Sequence, residues 1–129
     1  HPSTNQKILK TRLPKKSLVT DKSLPELLMK AQIVIGGGSG SQVEAAALGI
    51  PVIDIQEPNR FSYSCMPEIG RGILWDRAAD AEGVTGFVNR FQEALRLTPN
   101  QLKEEGARLK SVYFSEPTDE LIGQAFELD

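Results

Sequence analysis

This sequence predicts an α/β domain of three layers, a parallel sheet between helices. Three observations carry that expectation. Short apolar or β-branched runs alternate with helix-like segments over residues 16–76, the order that builds β–α–β units through right-handed crossovers. The runs "QIVIGG" and "PVIDI" are apolar without regular alternation, as in strands covered on both faces. From Val84 onward the apolar period changes to 3.6 and helices take over.

The elements follow in order. "KSLVTD" (16–21) is a short β-branched run and reads as a strand. "SLPELLMKA" is a compact helix: Ser23 and Glu26 have capping-box spacing, and Pro25 sits in the first turn, where a missing N–H costs nothing. "QIVIGG" is the next strand. "SQVEAAALG" is a short helix stopped by Gly49, a residue suited to the left-handed terminator position, and "PVIDI" is the strand after it. An irregular segment, 56–71, leads to "GILWD" (72–76), read as a further strand. Val84, Phe87, Val88, Phe91 and Leu95 form one helical stripe. Thr98 and Pro99 cap and start a helix running to about residue 114, with Leu102, Leu109, Val112 and Tyr113 available for packing. Its "LKEEGARLK" stretch is a solvated face. A last helical pattern covers 118–126.

Bulk properties narrow the function classes. At 129 residues the chain reads as one domain, 1–129. A net charge of −2 gives no basic footprint for nucleic acid. Cys65 is the one cysteine, which fits a reducing compartment. No apolar run approaches the roughly 18 residues of a membrane helix. The chain opens on His1 and reads as a piece excised from a longer protein.

The stretch "AQIVIGGGSGSQVEAAALGIPVIDI" (31–55) concentrates the chemistry. Gly36, Gly37, Gly38 and Gly40 remove Cβ atoms just before a helix N-terminus, so backbone N–H groups can approach a ligand closely. The helix adds unpaired N–H groups and a positive dipole end. Together these suit a phosphate or diphosphate. Ser39 and Ser41 add hydroxyls. Glu44, one turn into the helix, cannot bind phosphate, but its carboxylate can accept both hydroxyls of a ribose. The same loop also reads as a tight strand-to-helix turn with no ligand, Ser39 or Ser41 serving as a plain N-cap. Three other motifs fail. No lysine follows Gly40 as a P-loop requires, the dinucleotide fingerprint lacks its third glycine, and Ser41 stands where a nucleophile elbow at Ser39 needs glycine.

"EAAALGIPVI" resembles the E-A-x-x-x-G-x-P-V-I signature in the C-terminal half of GT-B glycosyltransferases, whose relatives include MurG-like transferases and UDP-N-acetylglucosamine 2-epimerases. "LPELLMKAQIVIGGGSGS" is similar to the helix and strand leading into that signature. "MPEIGRGILWDRAADAEGVTGFVNRFQEAL" is similar to its continuation, so the resemblance covers residues 19–97. It implies a Rossmann-like, nucleotide-sugar-binding domain. By matching position Glu44 would hold the donor ribose, and Gly38, Ser39, Gly40 and Ser41 would lie against the diphosphate. Residues 19–24, among them Thr20 and Leu24, would lie near the base, and Gln56, Glu57 and Asn59 near the transferred sugar. "HPST" at the start is similar to the His-Pro motif of bacterial polysialyltransferases and capsule-polysaccharide transferases, which would place His1 at the donor phosphate.

The resemblance implies one half of an enzyme of bacterial surface polysaccharide assembly, inactive alone. Its donor would be a nucleotide sugar and its acceptor a glycan or lipid-linked glycan. It implies no cofactor, no metal and no nucleic-acid partner. The location implied is cytoplasmic, at most peripheral to the inner face of the membrane. An epimerase-like domain and a non-enzymatic nucleotide- or phosphate-binding module are the alternative expectations. This chain departs from the pattern: no arginine or lysine occurs between Gln32 and Asn59, and Arg60 and Arg71 are candidates only if the irregular segment folds back over the loop. Val43 also stands where the epimerases show a further acid, which favours a transferase. Asp54 reads as an end-of-strand acid capping a neighbouring loop ahead of one pointing into the cleft, Trp75 as core or domain-edge packing ahead of a stacking platform for a base, and Phe61 and Tyr63 as loop anchors or sugar-pocket walls.

Overall fold

In a computed structural model the described residues are 11–56, 63–78 and 83–114, with the single positions 116, 118 and 120. The chain divides into two compact units, His1–Lys30 and Ala31–Asp129. In the first, helix α1 (Leu24–Leu28) is set as its sequence implies: Ser23 is the N-cap, its N–H and hydroxyl reach Glu26 Oε2 at 3.0 and 2.7 Å, and Pro25 lies in the first turn. The strand expected over 16–21 is absent. Ser17 N–H closes a turn on the Pro14 carbonyl at 2.8 Å, and Leu18 is 81 % exposed. Three β-branched or apolar residues do not hold a strand without a neighbour to take their backbone bonds.

The second unit carries a three-stranded parallel sheet, β1 (Val34–Gly36), β2 (Val52–Ile55) and β3 (Trp75–Ala78), in that order. Its register sets Gly36 opposite Asp54 and Asp54 opposite Arg77. Helix α2 (Gly40–Ala47) connects β1 to β2 and packs on both. Fully buried Ala45 and Ala46 keep that contact close, and α2 ends where Gly49 turns to φ 76°. Helix α3 (Gly83–Arg96) packs on β2 and β3. The strands assign the two helices to opposite faces. Asp54 bonds to α2 through Gln42, whereas Asp76, one strand over and in register with Ile53, pairs with Arg90 of α3 at 3.3 Å. Successive strand residues alternate between faces, so the sheet lies between α2 and α3. Helix α4 (Pro99–Tyr113) packs outside α2.

Three expectations need correction. β3 starts at Trp75, three residues after the start of "GILWD", because Gly70 carbonyl oxygen gathers the N–H groups of Ile73, Leu74 and Trp75 into a turn. β1 is not covered on both faces: α3 shields Ile53 but leaves Ile35 46 % exposed. Of the four residues expected to pack α4, only Leu109 is fully buried, and Val112 and Tyr113 are exposed. The contact row of α4 runs through Leu102 and Gly106, whose backbones meet Gly49. Phe87 and Phe91 stack at 6.3 Å on the α3 stripe, although Phe91 and Leu95 remain exposed. Residues 121–126 of the last helical pattern lie outside the described residues.

The core is Val52, Ile53, Leu74, Trp75 and Leu109, with Met66 of the irregular segment also buried. Each such large side chain contributes roughly 1.5–3 kcal/mol on burial. Trp75 is core, as expected: its indole N–H donates to the Pro67 and Ile69 carbonyls at 2.8 and 3.2 Å. No helix of the described residues is long and apolar enough to cross a membrane.

Candidate functional site

The loop at the carboxyl end of β1 is the feature to build from, since ligands of open parallel sheets sit there. β1 ends at Gly36 and α2 begins at Gly40, so the turn has three residues. Ser39 is the N-cap, extended at φ −124°, ψ 134°. Its hydroxyl accepts the Ser41 N–H at 3.4 Å and shares a hydrogen bond with the Ser41 hydroxyl at 2.8 Å. The capping role is therefore filled by Ser39, and both hydroxyls remain at the surface. No acidic residue of α2 itself occupies its first turn; the nearest carboxylate, Asp54, is bonded to Gln42 from beneath.

The glycines divide by what the fold asks of them. A Cβ on Gly37 would run into the Ile55 carbonyl oxygen. Gly38 adopts φ 63°, and a Cβ there would stand 3.2 Å from the Tyr63 carbonyl oxygen, so the irregular segment returns against the loop at this point. Gly40 is different. It is helical, and no described atom lies within 4 Å of where its Cβ would be. Nothing in the described fold requires it to lack a side chain.

Glu44 stands one turn beyond Gly40, and residues four apart share a helix face. Its side chain is exposed. It borders an open hollow between α2 and α4 whose other walls are Ala47, Leu48, Lys110 and Phe114. Gly40 and Glu44 share a side of α2 by spacing, while no residue of the 36–41 loop lines that hollow.

Beneath the loop is a buried polar network. Gln42 is 1 % exposed and Asp54 0 %. Gln42 Oε1 accepts the Ser39 N–H at 3.1 Å, while Nε2 donates to the Gly36 carbonyl at 3.1 Å and to Asp54 Oδ1 at 3.2 Å. Gln56 Nε2 donates to Asp54 Oδ2 at 3.4 Å, and Arg77 Nε lies 4.0 Å from the same oxygen. Asp54 therefore faces inward and ties β2 to α2 and β3. Its two neighbours Gln42 and Arg77 escape a linear reading of the chain. Gln42 leaves one trace: it is the polar member of an inward row otherwise made of Ala45 and Ala46.

The remaining expected residues are placed as follows. Gln56 turns its amide to Asp54. Arg71 is committed away from the loop, to Glu68 at 3.4 Å, to Asp76 at 4.0 Å and over the Trp75 ring at 5.6 Å. The Tyr63 side chain is exposed. Thr20 and Leu24 belong to the first unit, where Thr20 Oγ1 accepts the Lys22 N–H at 3.2 Å and Leu24 opens α1. His1, Glu57, Asn59, Arg60 and Phe61 lie outside the described residues. Among the described residues no group of three or more His, Cys, Asp or Glu side chains is arranged to hold a metal ion. Comparison with protein-family models, with curated proteins and with solved structures finds no match for this chain.

Proposed function

We propose that this chain binds a nucleoside diphosphate sugar, as the donor-binding half of a GT-B glycosyltransferase of bacterial surface polysaccharide assembly. The observation that carries the reading is Gly40. A glycine at a helix start costs stability relative to alanine, and here no packing contact in the described residues explains it. A ligand lying across the first turn of α2 does. The diphosphate would meet the dipole of α2 and the N–H groups of Gly38 and Gly40, those of Ser39 and Ser41 being taken by Gln42 Oε1 and Ser39 Oγ. Glu44, one turn beyond Gly40, would take the two ribose hydroxyls.

The division of labour follows from the chemistry. Charge develops on the leaving diphosphate during sugar transfer, and fixed dipoles directed at that charge lower the barrier. The acceptor and its general base would be held by a second domain, so the isolated chain binds the donor and does not turn it over.

Calorimetric titration with uridine, cytidine and guanosine diphosphates tests the reading. One of them should bind, and Glu44→Ala should weaken it by about 1–3 kcal/mol, the range for a lost charged hydrogen bond. Gly40→Ala should weaken it as well while leaving the fold intact. Undiminished affinity in both variants would refute the assignment. A product assay on the full-length protein without acceptor separates transfer from epimerisation, because only an epimerase turns over the donor alone.

A further inference from the structure

We infer that Gln42 is the positioning residue of the 36–41 loop, locked in place by Asp54, and that its hydrogen bonds set the loop for a diphosphate. The inference rests on the reading of that loop as the donor site.

Three facts lead to it. First, Gln42 holds both ends of the turn: the Gly36 carbonyl where the strand stops and the Ser39 N–H where the helix is capped. One planar amide thereby fixes the separation of the two ends across residues 37–38, which no strand or helix bond can do. Second, its third bond is to a carboxylate with no exposure, Asp54. That bond selects the amide orientation, since only Nε2 can donate to an acid, and so directs Oε1 to the Ser39 N–H. Third, the position has no packing need for an amide. The neighbouring inward residues are Ala45 and Ala46, and burying a polar side chain is unfavourable unless every group finds a partner.

The consequence concerns the ligand more than the fold. With the Ser39 and Ser41 amides held within the loop, the amides of Gly38 and Gly40 serve as anion donors only if they converge, and convergence lost by a small rotation weakens electrostatic recognition steeply. An apolar replacement can satisfy the core and still release the loop. The inference therefore separates binding from stability, which a merely structural role would not.

The test compares the wild-type chain with Gln42→Leu, which keeps bulk and removes all three bonds, and with the polarity-swapped pair Gln42→Glu/Asp54→Asn. In the pair, the carboxylate introduced at position 42 can accept from the Ser39 N–H and from the amide introduced at position 54. Hydrogen exchange of the Ser39 amide should accelerate more than about tenfold in Gln42→Leu, with the Ile53 amide unchanged, as expected when a single buried bond is lost. Affinity for the nucleoside diphosphate that the wild type binds should fall about tenfold, with no change for the parent nucleoside. The swapped pair should recover Ser39 protection but not the bond to the Gly36 carbonyl, which a carboxylate cannot make, so its diphosphate affinity should stay below that of the wild type. Wild-type diphosphate affinity in Gln42→Leu, or an unchanged Ser39 exchange rate, would overturn the inference while leaving the donor-site reading intact. A wild-type chain that binds none of the three diphosphates would instead remove the reading on which it rests.

Discussion

Gly106 of α4 and Gly49 at the end of α2 meet backbone to backbone. A methyl group on Gly106 would stand 2.7 Å from Gly49 N, 2.9 Å from Gly49 Cα and 3.1 Å from the Ala46 carbonyl oxygen. None of these atoms can swing aside as the tip of a side chain would. Gly106 is thus the fulcrum on which α4 lies against α2, and α4 in turn forms one wall of the hollow beside Glu44.

The contact predicts a reversal of sign. In an unconstrained helix Gly→Ala stabilises by roughly 1 kcal/mol. Here Gly106→Ala should destabilise by about 1–3 kcal/mol, because overpacking forces the two helices apart. Urea denaturation of the two proteins measures it. A stabilised variant would mean that α4 does not rest on Gly49.

Two glycines three residues apart should behave oppositely. Gly37→Ala forces a Cβ into the Ile55 carbonyl and should lose about 1–3 kcal/mol of stability. Gly40→Ala meets open space among the described residues and should be neutral or gain up to about 1 kcal/mol. Parallel denaturation curves decide the matter, and equal losses would make Gly40 a structural residue.

Arg77→Met removes the cation that stands beside the Asp54 carboxylate. The pair is 4.0 Å apart, and the Arg77 side chain is 42 % exposed while that of Asp54 is fully buried. Removing one partner of a buried pair is costly because the other charge stays behind. Here solvent around Arg77 and the two glutamine donors reduce the loss to about 1–2 kcal/mol. Asp54→Asn in the same background should recover part of it, and a double-mutant cycle reads the coupling. Strict additivity would show that the two residues do not interact.

Helix α1 should respond to acid. Glu26 accepts two hydrogen bonds from Ser23, side chain first and backbone second, and these hold its carboxyl below the ordinary value of 4.5. A carboxyl depressed in the folded state stabilises fully above its unfolded value and loses that contribution as pH falls through the folded one. The Ser23 amide resonance should therefore shift in a titration whose midpoint lies below 4.5. Glu26→Gln should abolish the shift. A midpoint at or above 4.5 would count against the capping geometry.

Local chemistry made much of this fold legible. Ser39, Gly49, Thr98 and Pro99 mark helix ends because capping depends on residues a few positions apart, and the structure places the ends of α2 and the start of α4 there. The glycine loop at the end of β1 was legible for the same reason. Long-range contacts were not. A strand over 16–21 needed a partner that no local pattern supplies, and the start of β3 depended on which amides Gly70 would gather. The candidate site divides in the same way. Gly40 and Ser41 each stand one helical turn from Glu44 by spacing, whereas Gln42, Asp54 and Arg77 come together only once three strands are in register.

Trp75 gives the molecule a built-in optical probe. It is the sole tryptophan of the chain, its indole is fastened to two carbonyls, and a guanidinium stands over its ring. Ultraviolet emission excited at the red edge consequently comes from one known position in the third strand. Melting of the sheet can be followed without a dye, and any quenching by an added compound reports on that strand alone.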